Sequence, residues 1–224
     1  MKKVKINKFD LVVALYIFGT ITVNLMGAKV MPLGSAFGLT FNISVAIFLM
    51  PLLYTIIDVV SEIYGRERAR SLVSSGLVTI VLLVLFMMLA TNLPAAARFT
   101  AEPAYQEIFG ISIRFGIASV IAFACGEILD VMVYSKIKKI THGKAIWLRN
   151  NISNCLGELV DSVIFIVIAF YSFGQSFGEN ALWLIGLVLP YWIAKCVMSF
   201  ACTPLVYGGI AYMRKRNKVN TVDA

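Results

Sequence analysis

Acidic side chains are scarce in this sequence: 12 Asp and Glu stand against 20 Lys and Arg in 224 residues, and charged residues make up 14% of the chain. Soluble domains carry about 25%. Histidine occurs once, at His142, inside a basic stretch. A site built on several imidazole ligands, as in intramembrane metalloproteases, is therefore excluded. The four cysteines, Cys125, Cys155, Cys196 and Cys202, form no CxxC pair, and each falls in an apolar segment. That argues against zinc and disulfide frameworks and for small packing residues between helices. A Gly-rich phosphate loop, a Ser/His/Asp set, Gly/Ser linkers and low-complexity tracts are all missing. No metal or other cofactor is implied.

What the chain has in abundance is apolar sequence: 59% hydrophobic residues and a mean hydropathy of +0.84. A helix needs about 20 apolar residues to cross the hydrocarbon core. Six such segments run near 10–31, 37–60, 71–91, 113–135, 151–172 and 181–212. They leave no room for a soluble domain, so residues 1–224 read as a single transmembrane domain. The first run follows Lys2, Lys3, Lys5 and Lys8 as a secretory signal would, but it is longer than a 7–15-residue signal core and no small-x-small site follows it. It reads as a retained helix. The sixth segment contains Pro190 and Pro204, which predict a kink or break. The stretch from Thr91 to Ser112, with Pro94 and Pro103, is the long external connection and is expected to hold a short surface helix.

The basic residues fix an orientation. Lys2, Lys3, Lys5 and Lys8 precede the first segment, and Arg66, Arg68 and Arg70 follow the second. Lys136, Lys138, Lys139, Lys144 and Arg149 follow the fourth, and Arg214, Lys215, Arg216 and Lys218 follow the sixth. Sixteen of the 20 basic residues thus fall on one side, with Arg98 and Arg114 on the other. The positive-inside rule puts that side, and both termini, in the cytoplasm. The charge of +8 is then a membrane signature, not a nucleic-acid one. The expected fold is all-α: a polytopic membrane protein, a bundle of six transmembrane helices with both ends cytoplasmic.

Several ionisable residues lie where the bilayer disfavours them: Lys29, Asp58, Glu127, Asp130, Glu158, Asp161 and Lys195, with Glu62 at a boundary. Each costs about 2.5–3.5 kcal/mol at a helix centre, so seven facing lipid would cost on the order of 20 kcal/mol. That exceeds the roughly 5–15 kcal/mol by which a domain is stable. These groups must point inward. Glu127 and Asp130, and likewise Glu158 and Asp161, are three residues apart; Asp58 and Glu62 are four apart. Each pair shares one helix face. By orientation, Asp58, Glu127, Asp130, Glu158 and Asp161 lie in the cytoplasmic half, with Lys195 near mid-membrane and Asn24 and Lys29 toward the outer half. Simple ion pairing, for example Lys195 with Asp161, explains one pair. One lysine does not balance five carboxylates, so a shared cavity is the stronger expectation.

A carboxylate face suits a cation or proton, or a ring edge with adjacent N–H groups that donate two parallel hydrogen bonds to one carboxylate. A guanine-like base has that edge. Tyr54, Tyr134, Tyr191 and Trp192 offer stacking faces, although membrane-bundle aromatics more often serve packing.

The run Pro51-Leu-Leu-Tyr54, Asp58-Val-Val-Ser-Glu62-Ile-Tyr64-Gly65 and Ala69-Arg70 resembles the queuosine precursor transporter family, also called the vitamin uptake transporter family. Gly126-Glu127-Ile-Leu-Asp130-Val is similar too, as are Asn154, Asp161-Ser, Phe165 and Ala169-Phe170, and the likeness continues through Lys195, Pro204 and Tyr207. It covers nearly the whole chain in order. The resemblance implies an inner-membrane importer of 7-deazaguanines, such as the cyano and aminomethyl precursors, with some members taking queuine itself. It matches Asn24, Asp58, Arg70, Asp130, Asp161 and Lys195 to the family's polar positions, whereas Glu62, Glu127, Glu158 and Lys29 occupy variable ones.

The expected binding set is Asn24, Tyr54, Asp58, Glu127, Asp130, Asn154, Glu158, Asp161, Trp192 and Lys195, with no catalytic residue. Partners are a deazapurine and membrane lipid; a homodimer is compatible, and nucleic acid is not expected. A membrane subunit that borrows an external ATPase is the alternative. An enzyme reading would resemble phosphatidyltransferases at Asp58, Glu62, Gly65 and Arg70, but these need more aspartates in the next helix, and Ser71–Thr91 has no acid.

Overall fold

The computed structural model describes residues 7–36, 38–140 and 146–214; within its helices the side chains of residues 127, 130, 131, 134–140, 146–154, 199, 200, 203 and 214 are not described. Among the described residues the regular structure is helical apart from one hairpin: α1 (Lys8–Met26), β1 (Val30–Ala36), β2 (Leu39–Ser44), a 3-10 turn (Val45–Phe48), α2 (Met50–Tyr64), α3 (Arg66–Asn92), α4 (Glu102–Ile140), α5 (Ile146–Phe170), α6 (Phe177–Ala201) and α7 (Thr203–Arg214).

Helix α1 begins where the Asn7 side chain accepts a hydrogen bond from the Phe9 amide at 3.0 Å, satisfying one of the free donors of the first turn. Its buried residues are Tyr16, Gly19, Thr20 and Asn24, a small and polar stripe, while Phe18 and Met26 are exposed. Helix α3 buries Gly76 among apolar residues such as Ile80 and Val84 and exposes Leu82, Leu85 and Phe86. Large apolar side chains facing outward suit a lipid solvent, in which close helix packing replaces the hydrophobic drive. Among the described residues, four stretches are long and apolar enough to cross a membrane: Lys8–Met26, Arg66–Asn92, Glu102–Gly126 and Phe177–Met198.

The second segment departs from expectation. Its first part is strand β2 of an antiparallel hairpin whose other strand, β1, takes the end of the first segment and the gap after it, pairing Val30 with Ser44 through Ala36 with Leu39, and helix α2 holds only 15 residues. At 1.5 Å per residue that is about 22 Å, short of the ~30 Å hydrocarbon core. The hairpin turns through Gly38 at φ +75° and has an irregular register between Pro32 and Gly34 (φ +138°), backbone states that glycine adopts most readily. Ser44 ties its base to α1: the hydroxyl donates to the Gly27 carbonyl at 2.6 Å and accepts from the Ala46 amide at 3.1 Å. Strand β2 lies directly on α6, because a Cβ at Gly186 would stand 2.2 Å from the Thr40 carbonyl oxygen.

The sixth segment breaks as expected at one of its two prolines and not at the other: the helix ends at Cys202, with Pro204 at the second position of α7, while Pro190 lies inside α6, and a missing N–H at a helix start costs little. One other expectation shifts. The connection after α3 is shorter than expected, since residues from Glu102 onward already belong to the 39-residue α4. Helices α4 and α5 form the most extensive pairing in the bundle. Arg114 of α4 secures it by donating from Nε to the Ile168 carbonyl at 2.5 Å and from Nη2 to the Tyr171 carbonyl at 2.6 Å, supplying donors to orphan carbonyls at the end of α5.

The start of α1 and the ends of α2 and α7 meet at one end of the bundle. The Lys8 ammonium donates to the Tyr212 carbonyl and stands 4.1 Å from that tyrosine's ring centroid. Phe9 packs edge-on against Tyr64 at 4.9 Å, with the Arg68 guanidinium 4.9 Å from the Phe9 ring. Lys8 and Arg68 therefore gather at the same end of the bundle.

Candidate functional site

Six helices surround a cavity of about 450 Å³. That lies within the roughly 300–1,000 Å³ typical of small-molecule sites. Helix α1 contributes Tyr16, Thr20 and Asn24; α2 contributes Leu53, Tyr54 and Ile57; α3 contributes Gly76 and Ile80. Ser119, Phe123 and Gly126 come from α4, Gly157, Glu158, Asp161 and Phe165 from α5, and Tyr191 and Lys195 from α6. Glycine matters here for close packing. A Cβ at Gly126 would stand 3.4 Å from the Asp161 Cβ and 3.6 Å from the Gly157 carbonyl oxygen, so α4 and α5 approach closely beside the acidic face of α5.

The charged centre forms between α5 and α6. Glu158 and Asp161, three residues apart, turn the same face toward α6, where Lys195 is only 6% exposed. The Lys195 ammonium is 2.5 Å from Asp161 Oδ2 and 2.9 Å from Glu158 Oε2. The Tyr54 hydroxyl donates to Glu158 Oε1 at 3.3 Å, linking α2 to the same group. The Tyr191 ring lies 5.3 Å from the ammonium, so an aromatic face adds to its stabilisation. Among the described residues, three of the four carboxylate oxygens are engaged by these contacts. A buried lysine held between two acids is costly to desolvate and leaves a severe imbalance if either side is removed.

Opposite this centre lies a neutral polar pair. Asn24 is 4% exposed; its Nδ2 donates to the Thr20 carbonyl at 2.9 Å, and its Oδ1 accepts from the Ser119 hydroxyl at 2.8 Å. Beyond it, Phe115 is 1% exposed and meets Phe165 and Phe170 edge-on at 5.4 and 4.9 Å. Phe165 and Tyr191 line one wall with nearly parallel rings, 6.5 Å between centroids and 19° between planes. The arrangement can offer hydrogen-bond acceptors, one ammonium donor and aromatic faces to a flat polar molecule.

Of the ten binding residues expected from sequence, the structure brings Asn24, Tyr54, Glu158, Asp161 and Lys195 to this cavity. Asp58 is exposed on α2, one turn beyond Tyr54, and is not among the lining residues; Glu62 and Lys29 are exposed as well. Trp192 does not line the cavity either: its indole Nε1 donates to the Cys155 carbonyl at 3.1 Å, tying α6 to α5. The side chains of Glu127, Asp130 and Asn154 lie outside the described residues. Arg70 is exposed beside Glu67 at 3.6 Å. Sequence reasoning did not single out Tyr16, Thr20 or Ser119, for which the one available signal is a polar residue facing inward on an otherwise apolar helix. The cysteines behave as packing residues, with Cys155 and Cys196 in contact at 3.6 Å between sulfurs.

Long apolar helices around an internal cavity that holds a buried ion cluster define a multi-pass membrane protein of the small-molecule transporter class. Residues 44–209 match the family described as "Putative vitamin uptake transporter", and the chain belongs to that family. It is 30% identical over 191 residues to the "Probable queuosine precursor transporter" of Bacillus subtilis, covering 85% of this chain and 79% of that one. The protein of the same name in Haemophilus influenzae is 26% identical over 155 residues, 66% of this chain and 61% of that one. The "Queuosine precursor transporter" of Escherichia coli is 24% identical over 191 residues, 83% of each chain. These are names of transporters, not of enzymes. No solved structure matches.

Proposed function

We propose that this protein imports 7-deazaguanine precursors of queuosine across the inner membrane, binding them in the cavity between α1 and α6. The observation that carries this reading is the Glu158–Lys195–Asp161 cluster opening on a cavity of about 450 Å³. A 7-deazaguanine presents N1–H and the 2-amino group side by side, the edge that a carboxylate accepts in two parallel hydrogen bonds. Asp161 and Glu158 supply such acceptors. Lys195 and the Asn24 amide supply donors for the ring oxygen. The walls of Phe165 and Tyr191 suit a flat ring. The names of the relatives point to the same substrate class.

The end of the bundle where Lys8 and Arg68 gather supports the orientation with both termini in the cytoplasm, and six crossings fit that parity. Five of these are α1, α3, α4, α5 and the α6–α7 pair; the hairpin and the short α2 together make the remaining one. Transport then follows alternating access around the central cluster.

Uptake tests the function. A bacterium unable to make the precursor, expressing this protein and fed the precursor externally, should recover queuosine in its tRNA. Expression at a normal level with no recovery contradicts the reading. Recovery that requires a co-purifying ATPase would instead assign the chain as the binding subunit of a larger importer.

A further inference from the structure

The charge count at the cavity is unequal, and the imbalance bears on which precursor fits. Lys195 is the only cation among the described lining residues, and Glu158 and Asp161 are the two acids beside it. Counted as ionised, the cluster carries one negative charge more than it balances. Asn24, Thr20 and Ser119 are neutral, and the remaining polar contacts come from tyrosine hydroxyls. The other acids that share these helices, Asp58 on α2 and Glu127 and Asp130 on α4, have the same sign. The basic residues at the end of α4 begin at Lys136, ten residues past Gly126, which is about 15 Å along the helix.

Glu158 and Asp161 are each about a quarter exposed, on the cavity side, and a well-placed counter-ion in the partly desolvated cavity offsets their unbalanced charge. A neutral base can hydrogen-bond to the spare carboxylate but does not close the charge balance. A base that brings its own ammonium does both. Resting on the proposed substrate class, we infer that the cavity selects the cationic members of that class, those with an amine on the 7-substituent, over the neutral 7-cyano form. The aminomethyl nitrogen is an alkylamine, protonated at neutral pH as a lysine is. Bound with its N–H edge on one acid and its ammonium against the acidic face of α5, it leaves two cations facing two carboxylates.

The recognition has a geometric basis as well as a count. Glu158 and Asp161 project from adjacent turns of α5 and both line the cavity. A short cationic arm on a ligand in that cavity therefore meets two carboxylates on one wall. The linear nitrile offers an acceptor nitrogen at its tip, and toward a carboxylate face that is a repulsion.

Direct competition tests the inference. Purified protein, or vesicles containing it, is offered the aminomethyl and cyano precursors separately and together. The wild type should prefer the aminomethyl form by about tenfold or more, the size expected of one desolvated charge contact. Glu158→Gln keeps an oxygen acceptor for Lys195 and Tyr54 while removing the extra charge. It should shift the ratio of the two affinities toward the cyano form by about tenfold, whatever happens to the absolute values. Because the readout is a ratio, general weakening of the site does not imitate the effect. Glu158→Asp, which keeps the charge, should keep the preference and serves if the amide variant folds poorly. Equal binding of both forms by the wild type, or a ratio that Glu158→Gln leaves unchanged, overturns the charge preference and leaves the substrate class standing. Binding of neither form overturns both.

Discussion

Helices α5 and α2 start from the same sequence device and end differently. Glu158 and Asp161 are three residues apart on α5; Asp58 and Glu62 are four apart on α2. Either spacing puts two acids on one helix face. On α5 that face meets the buried ammonium of Lys195 and opens on the cavity. On α2 both acids are exposed, and neither takes part in a salt bridge among the described residues. Depth accounts for the contrast. Glu158 lies 12 residues into α5, whereas Asp58 is seven residues from Gly65, where α2 ends at the same end of the bundle as Lys8 and Arg68. Seven residues are about 10 Å, within reach of the water and headgroups at that end. Spacing determines which side chains share a face, and what stands opposite determines whether the face becomes a site.

The largest effect should come from removing the central cation. Lys195→Met strands two carboxylates and should cost about 3–5 kcal/mol, the loss expected when one partner of a buried ion cluster is deleted. The thermal midpoint in detergent and the yield from membranes measure it, and an unchanged midpoint would mean the acids do not depend on Lys195. Next is crowding of the acidic face. A Cβ at Gly126 would meet Asp161 Cβ at 3.4 Å, so Gly126→Ala should be tolerated, while Gly126→Leu should cost about 1–3 kcal/mol through overpacking. Tyr54→Phe removes the hydroxyl that donates to Glu158 at 3.3 Å and should cost about 0.5–1.5 kcal/mol of stability. The smallest effect belongs to the other acidic pair: Asp58→Asn and Glu62→Gln should each change stability by less than about 0.5 kcal/mol. A drop at Asp58 as large as that at Lys195 would erase the contrast between the helices.

The sequence made some of this legible for clear physical reasons. A charge in lipid is costly enough that Glu158, Asp161 and Lys195 stand out by composition alone, and the basic residues announce which helix ends lie together. Asn24 was singled out through the family resemblance, and in the structure its carboxamide accepts from Ser119. The hairpin was not legible. Val30–Ser44 straddles the gap between the first two apolar segments, and the short apolar runs on either side of that gap carry no period that separates a buried strand from a helix. Its Gly34, Gly38 and Pro32 are the marks that could have identified it. Which of two prolines breaks the sixth segment was not legible either: the helix ends beside Pro204 and runs on through Pro190, because proline removes one hydrogen bond and whether the helix ends there depends on the neighbours that hold it. Trp192 was expected in the site because tryptophan stacks well on flat rings, yet rotation about α6 turns it to the Cys155 carbonyl instead. A residue's chemistry suggests what it is able to do; its angular position on the helix decides what it touches.

Titration of the purified protein with a labelled 7-deazaguanine precursor, run in parallel on the wild type, Asp161→Asn and Asp58→Asn, is the most direct measurement. Saturable binding by the wild type, weakened about tenfold or more by Asp161→Asn and nearly unchanged by Asp58→Asn, is the predicted result. Equal affinity in the wild type and Asp161→Asn, with both proteins folded, would contradict a binding site at the α5–α6 cluster.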